Sequence, residues 1–358
     1  MRILEIDIKN FRNISHIVLE PSDTVNIIYG DNAQGKTSLL EAIFVLTGQP
    51  SFRTRKSAEL IQLSSSEAKL SARIFSGGRE QLVVADIAKG IRYTLNEVDI
   101  HPNELAPRLS AVIFSPTEMK IVKGSPAEKR ELMDSIISKL MPRYRSVLNS
   151  YLRAVRQRNT ALLSYRQRLA PMELVEAATA VIFKPMQTII NARRRLLERL
   201  SVAAERIYSE LCGNDGERLE LIYRPSVATD NFEELARIFA QILPADVESC
   251  TTSQGPHRDD IEILLNGLPI RSYGSQGQQR SAAISIKLAE CRILEEVLYA
   301  PPILLLDDVF SELDEHRRSF FWRNTAESQI FITSCDNTGI GDTSTCKNIK
   351  ISSGCVGF

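Results

Sequence analysis

Residues 30–37 read Gly30-Asp31-Asn32-Ala33-Gln34-Gly35-Lys36-Thr37 and match the pattern GxxxxGK[ST] of a phosphate-binding loop. The loop follows the apolar stretch Thr24–Tyr29 and precedes residues 39–46, whose apolar side chains repeat at helical spacing. Between a strand and a helix, backbone N–H groups and the positive end of the helix dipole can surround a phosphate. Lys36 is expected to reach the β- and γ-phosphates, and the Thr37 hydroxyl to ligate Mg²⁺. The stretch therefore predicts an α/β fold of the P-loop type that binds ATP and Mg²⁺.

A second segment supplies the acidic half of such a site. Ile303–Leu306 is apolar throughout and is followed by Asp307 and Asp308. Four apolar residues in a row predict a strand buried on both faces, which presents the carboxylates at its C-terminal end. We expect Asp307 to hold Mg²⁺ through water, and Asp308 to polarise the water that attacks the γ-phosphate. Lys36 and Asp308 are thus the candidate catalytic residues.

A third segment, Ser275-Gln276-Gly277-Gln278-Gln279, lies at the predicted start of a long helix, Gln278–Leu298. A serine hydroxyl and the exposed N–H groups of a helix N-terminus form a site for an anion. Because the phosphate loop already holds the γ-phosphate of its own nucleotide, this second site is expected to serve the nucleotide of another copy of the chain. Taken alone, the segment is better explained as a polar loop that caps the helix.

The charge of the chain is balanced overall but uneven along the sequence. It has 44 Lys and Arg against 44 Asp and Glu, yet no acidic residue occurs between Asp134 and Glu173, where eight residues are basic. A solvated helix face is the usual explanation for a charge run, but eight cations without an anion favour contact with a polyanion such as DNA. The candidate DNA contacts are five arginines of this stretch: Arg143, Arg145, Arg153, Arg156 and Arg158.

Other features of the sequence exclude several classes of protein. No apolar run approaches the roughly 20 residues that span a bilayer, and Glu5 comes too early for a secretory signal peptide. The six cysteines contain no CxxC pair, and Cys335, Cys346 and Cys355 are spaced too irregularly for a metal knuckle. These features predict a chain of the reducing cytoplasm without a membrane partner.

Changes in pattern divide the chain into three segments. Residues 1–124 are rich in short strands and carry the phosphate loop. A helical, basic segment begins at Ser125, which forms a helix start with a capping-box Glu128. Residues 251–358 return to strands and carry the second and third segments of the site. We expect the first and last segments to form a head with a mixed-sheet lobe and a core sheet, into which residues 125–250 are inserted as a helical lobe.

The three site segments, in this order, resemble the ABC-type ATPase heads of DNA-repair and chromosome-maintenance proteins of the SMC/Rad50-like superfamily. Further blocks make the chain similar to one branch of them, the RecF family of bacterial recombination mediators. These blocks span nearly the whole chain: Phe114-Ser115-Pro116, Lys123-Gly124-Ser125-Pro126, Gly255-Pro256-His257-Arg258-Asp259-Asp260, Ser275–Arg280 and Leu304–Asp314. The resemblance implies that Ser311 and Asp314 belong to a D-loop. It also implies that Arg12, in the block Lys9–Asn13, approaches the nucleotide.

The resemblance implies a function as well as a fold. Heads of this family form an ATP-dependent homodimer, in which each Ser275 would contact the γ-phosphate held by Lys36 of the other copy. Such a protein would be a weak, DNA-stimulated ATPase that uses ATP as a conformational switch. It would act at single-strand gaps and their junctions with duplex DNA. With RecR-like and RecO-like mediators it would help to load a recombinase, in DNA repair, replication restart and the SOS response.

Three positions depart from the transporter-type pattern of these heads. Ser115 and Glu118 stand near the place of a usual glutamine, and Thr333-Ser334 near the place of a usual histidine. Asp308 replaces the more usual glutamate, a change that the RecF-like sequences share. These departures predict slow hydrolysis, which suits a timer.

The alternative function is that of another ABC-type ATPase subunit. A transporter subunit predicts a membrane-coupling groove and a much shorter, less basic insertion. An SMC- or Rad50-like head needs hundreds of heptad residues between its lobes, whereas only about 130 residues separate Lys123 from Gly255. A P-loop metabolic kinase would not need Ser275–Gln279, and an OLD-type nuclease would add a second acidic cluster downstream.

Overall fold

The computed structural model describes residues 1–116, 121–213, 216–310, 313–334, 346–352 and 354–357. The chain divides into two compact units, the first formed by Met1–Lys120 with Ala283–Phe358 and the second by Ile121–Ala282. The first boundary lies close to the predicted one at residue 124. The second lies after residue 282 and not at 250, because residues 260–269 pair with a strand of the inserted lobe. The segment Ser275–Gln279 therefore belongs to the second unit.

One sheet of the first unit is antiparallel, with the strand order β2-β1-β4-β5-β6-β7. Its strands are β1 (Arg2–Phe11), β2 (Ile14–Leu19), β4 (Ala68–Ser76), β5 (Arg79–Ile87), β6 (Ile91–Leu95) and β7 (Val98–Ile100). In β4 the side chains alternate between buried and exposed, as expected for a sheet with one face on the core. The strand β2 was not predicted from the sequence, because its buried residues Ile14, Ile17 and Leu19 do not alternate regularly.

The second sheet of this unit positions the candidate site. Its order is β15-β14-β3-β13-β12-β8, and all neighbours are parallel except β14 and β15. The strands are β3 (Val25–Tyr29), β8 (Ala111–Phe114), β12 (Ile303–Asp307), β13 (Ile330–Ser334), β14 (Lys347–Ser352) and β15 (Cys355–Gly357). Every residue of β12 is buried, which confirms the predicted strand. Because β3 and β12 are parallel and separated by β13 alone, their carboxyl ends lie at the same edge of the sheet.

Two further helices lie in the described part of this unit, besides the later residues of α7 (Gln276–Leu298). Helix α1 (Lys36–Leu46) begins directly after the phosphate loop and is buried along almost its whole length against the core. Helix α8 (Glu315–Asn324) follows the acidic strand, and the side chain of Asp314 caps it by accepting a hydrogen bond from the Arg317 N–H.

The second unit combines helices with a small sheet. Its helices are α2 (Pro126–Leu140), α3 (Tyr144–Arg166), α4 (Met172–Cys212), α5 (Phe232–Ser249) and α6 (Ile270–Tyr273), together with the start of α7 (Gln276–Leu298). The sheet order is β11-β10-β9, with strands β9 (Leu219–Arg224), β10 (Asp260–Leu265) and β11 (Leu268–Pro269). The Ser125–Glu128 capping box is confirmed at the start of α2. Asn266 and Gly267 both have positive φ angles, 52° and 76°, as a tight hairpin turn requires.

Buried ion pairs hold the helices of the second unit together. Arg193 of α4 is buried and bonds Asp134 of α2 at 2.9 Å and Asp259 at 2.8 Å. The same Asp259 accepts a hydrogen bond from the Ser226 N–H, and the hydroxyl of Tyr223 donates to its other oxygen. The block Gly255–Asp260 therefore has a structural role in this unit. No helix within the described ranges combines the length and the apolar character needed to cross a bilayer.

Candidate functional site

The phosphate loop connects β3 to α1 and has a backbone that only particular residues allow. Gly30 has φ of 150°, and a Cβ atom there would lie 2.3 Å from the Ile351 carbonyl oxygen of β14. Lys36 is almost fully buried, and its Nζ donates to the carbonyl oxygens of Gly30 at 2.6 Å and Asp31 at 3.2 Å. The ammonium group thus lies across the opening of the loop, where the phosphate oxygens of a nucleotide would replace these carbonyls.

Two contacts support the loop from outside. The Asn13 side chain donates from Nδ2 to the Ala33 carbonyl at 3.1 Å and accepts at Oδ1 from the Ser38 hydroxyl at 2.8 Å. The backbone N–H of Gly354 donates to the Gln34 carbonyl at 3.0 Å. These hydrogen bonds fix the shape of the loop. Sequence reasoning missed both residues as supports: Asn13 was only part of a family block, and no pattern in the sequence marks Gly354.

Thr37 and Asp307, the predicted metal ligands, are in direct contact. The Thr37 hydroxyl donates to Asp307 Oδ1 at 2.8 Å, and the Thr333 hydroxyl donates to the same oxygen at 3.0 Å. Burial raises the pKa of the Asp307 carboxyl, and the neighbouring Asp308 raises it further, while the two hydroxyls lower it. These residues fit Mg²⁺, which is usually held by one or two protein oxygens together with the phosphates of a nucleotide. A divalent cation would offset the charge that burial disfavours.

Asp308 occupies a left-handed backbone conformation at the end of β12, with φ of 53°. Its backbone N–H donates to the Thr333 hydroxyl at 2.9 Å. Thr333, which stands near the place of the transporter histidine, thus binds both residues of the acidic pair. This conformation is costly for a residue other than glycine, and it places Asp308 in the wall of the cavity described next.

A cavity of about 830 Å³ opens beside the loop and has a size typical of nucleotide and cofactor sites. Its polar end is formed by the loop and the acidic strand, and its other end is partly apolar, with Ala58, Ile61 and Leu63. The lining residues are Arg12, Asn13, Asn32, Ala33, Gly35, Lys36, Thr37, Ser38, Arg53, Ala58, Glu59, Ile61, Leu63 and Asp308. The structure thus brings the predicted Arg12, Lys36 and Asp308 to one cavity. The remaining loop residues Gly30, Asp31 and Gln34 contribute backbone carbonyls to hydrogen bonds outside this lining.

A buried carboxylate holds two arginines in the cavity wall. Glu41 of α1 is fully buried and accepts from Arg12 at Oε1 (2.7 Å) and Oε2 (3.0 Å). Arg53 donates to the same Glu41 Oε2 at 3.2 Å. Both cations therefore face the cavity in fixed positions, as the binding of an anion requires. The sequence analysis did not identify Arg53 as a site residue, although the arginine-rich stretch after α1 could have indicated it.

The predicted anion-binding segment Ser275–Gln279 is exposed at Ser275 and Gln276, half-buried at the next two residues and buried at Gln279, and it is capped by its own side chains. Ser275 immediately precedes α7; its hydroxyl accepts from the Gln278 N–H at 3.2 Å, and its own N–H donates to Gln278 Oε1 at 2.7 Å. The Gln279 side chain donates to the carbonyls of Ile270 and Gly274, which fixes the turn before the helix. Of the two predicted D-loop residues, Ser311 lies outside the described residues and Asp314 caps α8. Hydrogen bonding from the Arg317 N–H lowers the pKa of Asp314.

The basic stretch is only partly a surface. Arg143, Arg153 and Arg156 are exposed and Arg145 is half-buried, and no carboxylate of a described residue pairs with any of the four. Arg158, in contrast, is fully buried and bonds Asp246 at 2.6 Å. The assignment of Arg158 to a DNA surface was therefore wrong, because a carboxylate 88 residues away holds its guanidinium inside the lobe.

We expect Asp307→Asn to stabilise the nucleotide-free protein by on the order of 1 kcal/mol, the usual size of such a functional trade-off. Asparagine can still accept from the Thr37 and Thr333 hydroxyls but removes a buried charge. Since the folded-state pKa of Asp307 is raised, the wild type loses stability as the pH rises through that pKa, whereas the variant does not. The difference in melting temperature should therefore vanish below about pH 4, near the ordinary pKa of aspartate.

Thermal unfolding of both proteins between pH 3 and 8 would measure this difference. The same variant should lose the additional stabilisation that Mg²⁺-ATP gives the wild type. A variant that is less stable than the wild type at pH 8, or one that keeps the Mg²⁺-dependent stabilisation, would contradict the assignment of Asp307.

Comparison with known proteins gives a consistent result over the whole chain. The family model of the RecF/RecN/SMC N terminal domain matches residues 2–356. The chain is 37% identical over 358 residues to the DNA replication and repair protein RecF of Clostridium acetobutylicum, covering 96% of this chain and 94% of that protein. It is 33% identical over 347 residues to RecF of Clostridioides difficile, with 94% and 92% covered.

Solved structures agree with these sequence matches. The structure of the recombination mediator protein RecF with ATP in the RecFOR pathway is 33% identical and has a TM-score of 0.90, covering 99% of this chain and 96% of that chain. An Smc head bound to the C-winged helix domain of ScpA is 16% identical, with a TM-score of 0.56 and coverage of 99% and 96%. The second likeness concerns the fold alone.

Proposed function

Because this chain belongs to the RecF family of DNA replication and repair proteins, we propose that it is an ATP-switched homodimer that binds DNA and helps to load a recombinase at single-strand gaps. Family membership sets aside the transporter subunit as an alternative. The observation that carries the proposal is the cavity in which Lys36, Asp308 and Arg12 meet beside the Thr37–Asp307 contact. The phosphate loop, the end of the acidic strand and Arg12 border this one cavity, which supports the binding of a nucleotide there.

The residues of the loop bind and orient the nucleotide in this proposal. Lys36 exchanges its carbonyl partners for the β- and γ-phosphate oxygens, and Arg12 and Arg53 face the anion from the cavity wall. Thr37 and Asp307 would hold Mg²⁺, which would neutralise charge on the phosphates. The half-apolar end of the cavity suits the base, and Asp308 would orient the attacking water. A carboxylate shorter by one methylene than the usual glutamate is consistent with weak, DNA-stimulated hydrolysis.

Closure of the dimer completes the switch. The exposed Ser275 and the N-terminus of α7 present donors to an anion outside their own chain. In the dimer they contact the γ-phosphate bound by the other copy, so that the two heads are joined only while ATP is intact. Hydrolysis removes that bridge, and the dimer opens. The nucleotide thus acts as a signal for assembly.

DNA is bound through its phosphates. The exposed Arg143, Arg153 and Arg156, with the half-buried Arg145, lie on or next to α3, and their charges are not neutralised by described carboxylates. Contacts of this kind position a protein on DNA without reading its sequence. The preferred target would be duplex DNA beside a single-strand gap. RecR-like and RecO-like mediators would be the protein partners, in the cytoplasm.

The charge reversal Arg153→Glu with Arg156→Glu should weaken DNA binding about tenfold or more at moderate salt, equally for all sequences. It should also make the dependence of log K on log salt less steep, by about 0.9 for each phosphate that is no longer neutralised. Fluorescence anisotropy with a gapped duplex at several salt concentrations would measure both effects. The matched control is Arg79→Glu with Lys89→Glu, two exposed cations outside the basic stretch. Equal losses of affinity in both double variants would show that Arg153 and Arg156 are not part of the DNA-binding surface.

The proposal as a whole is tested by sedimentation velocity of the wild type with ATP, with ADP and with a non-hydrolysable ATP analogue, with and without gapped DNA. We expect a dimer with ATP or the analogue, and a monomer with ADP or without nucleotide. If the protein stays monomeric with the analogue and DNA together, the switch mechanism is wrong and only a nucleotide-binding fold remains.

A further inference from the structure

Glu217 connects two helices of the second unit through its carboxylate. It lies two residues before β9, and its Oε2 accepts from the Tyr208 hydroxyl at 2.6 Å. Its Oε1 accepts from the Gln278 side-chain Nε2 at 2.5 Å. Tyr208 is near the C-terminal end of α4, and Gln278 is in the first turn of α7. One acidic side chain therefore joins the end of α4 to the helix start that follows Ser275.

The carboxylate determines how the Gln278 amide is oriented. An ionised carboxylate accepts hydrogen bonds but cannot donate them, so Gln278 must turn its NH₂ group towards Glu217. Its carbonyl oxygen is then left to face Ser275, whose backbone N–H it accepts at 2.7 Å. With the opposite amide orientation, an NH₂ group would face the Ser275 N–H and two donors would meet. Glu217 thus fixes the conformation of Ser275 through Gln278.

Tyr208 fixes Glu217 in turn. The tyrosine is fully buried, and burial together with the hydrogen bond to Glu217 raises the pKa of its phenol. The phenol therefore keeps its proton at neutral pH and donates a hydrogen bond to the carboxylate. The neighbouring Arg218 pairs with other carboxylates, Glu205 at 3.1 Å and Glu220 at 3.4 Å.

We propose that Glu217 is a positioning residue for the contact between Ser275 and the nucleotide of the second copy. This inference rests on the proposed function and adds a residue that none of the sequence motifs contains. Glu217 does not touch the nucleotide. It holds the α7 N-terminus in the orientation in which Ser275 contacts the γ-phosphate bound by the second copy. Removing it leaves the Ser275 hydroxyl in the chain but allows the Gln278 amide to rotate, so the dimer forms with lower affinity.

The test compares Glu217→Ala, Glu217→Gln and Tyr208→Phe in the full-length chain. Sedimentation with a non-hydrolysable ATP analogue gives the dimer dissociation constant, and titration of a fluorescent ATP analogue at low protein concentration gives the nucleotide affinity of the monomer. Glu217→Ala should weaken the dimer at least tenfold without changing the nucleotide affinity of the monomer. Glu217→Gln keeps one accepting oxygen and should lie between the wild type and the alanine variant. Tyr208→Phe should weaken the dimer a few-fold.

The matched control is Glu205→Ala, which removes a nearby carboxylate of α4 that pairs with Arg218 and has no hydrogen bond to Gln278. An unchanged dimer constant in Glu217→Ala would overturn the inference, as would an equal loss of affinity in Glu205→Ala. If Glu217→Ala does not fold, the nearly isosteric Glu217→Gln and Tyr208→Phe decide the question by the same measurement. If the wild type itself does not dimerise, the proposed function is wrong, and this inference is wrong with it.

Discussion

Lys36→Ala is expected to lower the affinity for ATP by at least about 30-fold, since removing one partner of a desolvated, hydrogen-bonded charge pair costs about 2–5 kcal/mol. Lys36 is almost fully buried at the opening of the loop, where water cannot replace its charge. Its Nζ already lies within hydrogen-bonding distance of the carbonyl oxygens of Gly30 and Asp31. The phosphates would therefore meet an ammonium group that is in place before they arrive. Isothermal titration with Mg²⁺-ATP measures the decrease in affinity.

The loop itself should survive this substitution. Asn13 holds it at Ala33 and Ser38, and Gly354 holds it at Gln34, so removal of the Lys36 ammonium group leaves three other hydrogen bonds in place. The melting temperature of nucleotide-free Lys36→Ala should accordingly stay within a few degrees of the wild type. Lys69→Ala, an exposed lysine on β4, is the control and should bind ATP normally. An affinity of Lys36→Ala within threefold of the wild type would show that ATP binds elsewhere.

The parts of the site that could be predicted from the sequence are those encoded by neighbouring residues. The loop around Lys36 and the strand before Asp307 are each contained in fewer than ten consecutive residues, and the parallel sheet brings them together. The capping box at Ser125 is local in the same sense. For such elements backbone geometry and residue type are sufficient, because the partners of each group are a few positions away.

The parts that could not be predicted depend on contacts between distant residues. Periodicity places Arg158 among the cations of α3, but the carboxylate of Asp246 decides that it is buried. The second domain boundary was misplaced for the same reason, since β9 pairs with β10 across about 40 residues of sequence. Helix α5 continues through Pro244 to Ser249, although proline within a helix removes a hydrogen bond and commonly ends it.

Ser275→Arg should leave ATP binding by the monomer unchanged and abolish the dimer, raising its dissociation constant at least about 100-fold by analogy with other blocked interface centres. Ser275 is exposed, and in the proposed dimer its hydroxyl and the helix N-terminus would be the donors to the γ-phosphate of the other copy. A long side chain at that point would occupy the volume of the phosphate. In the proposed dimer it would also add a positive charge to a site that Arg12 and Lys36 of the other copy already line.

The substitution also removes a helix cap, an effect that must be separated from the loss of the interface. The Ser275 hydroxyl accepts from the Gln278 N–H at 3.2 Å, and loss of such a cap costs about 0.5–2 kcal/mol. Ser275→Ala loses the cap without adding bulk, and Ser275→Thr keeps both cap and hydroxyl. In sedimentation with a non-hydrolysable ATP analogue we expect a dimer for threonine, a weakened dimer for alanine and a monomer for arginine. A full dimer of Ser275→Arg would show that the γ-phosphate is not shared between copies.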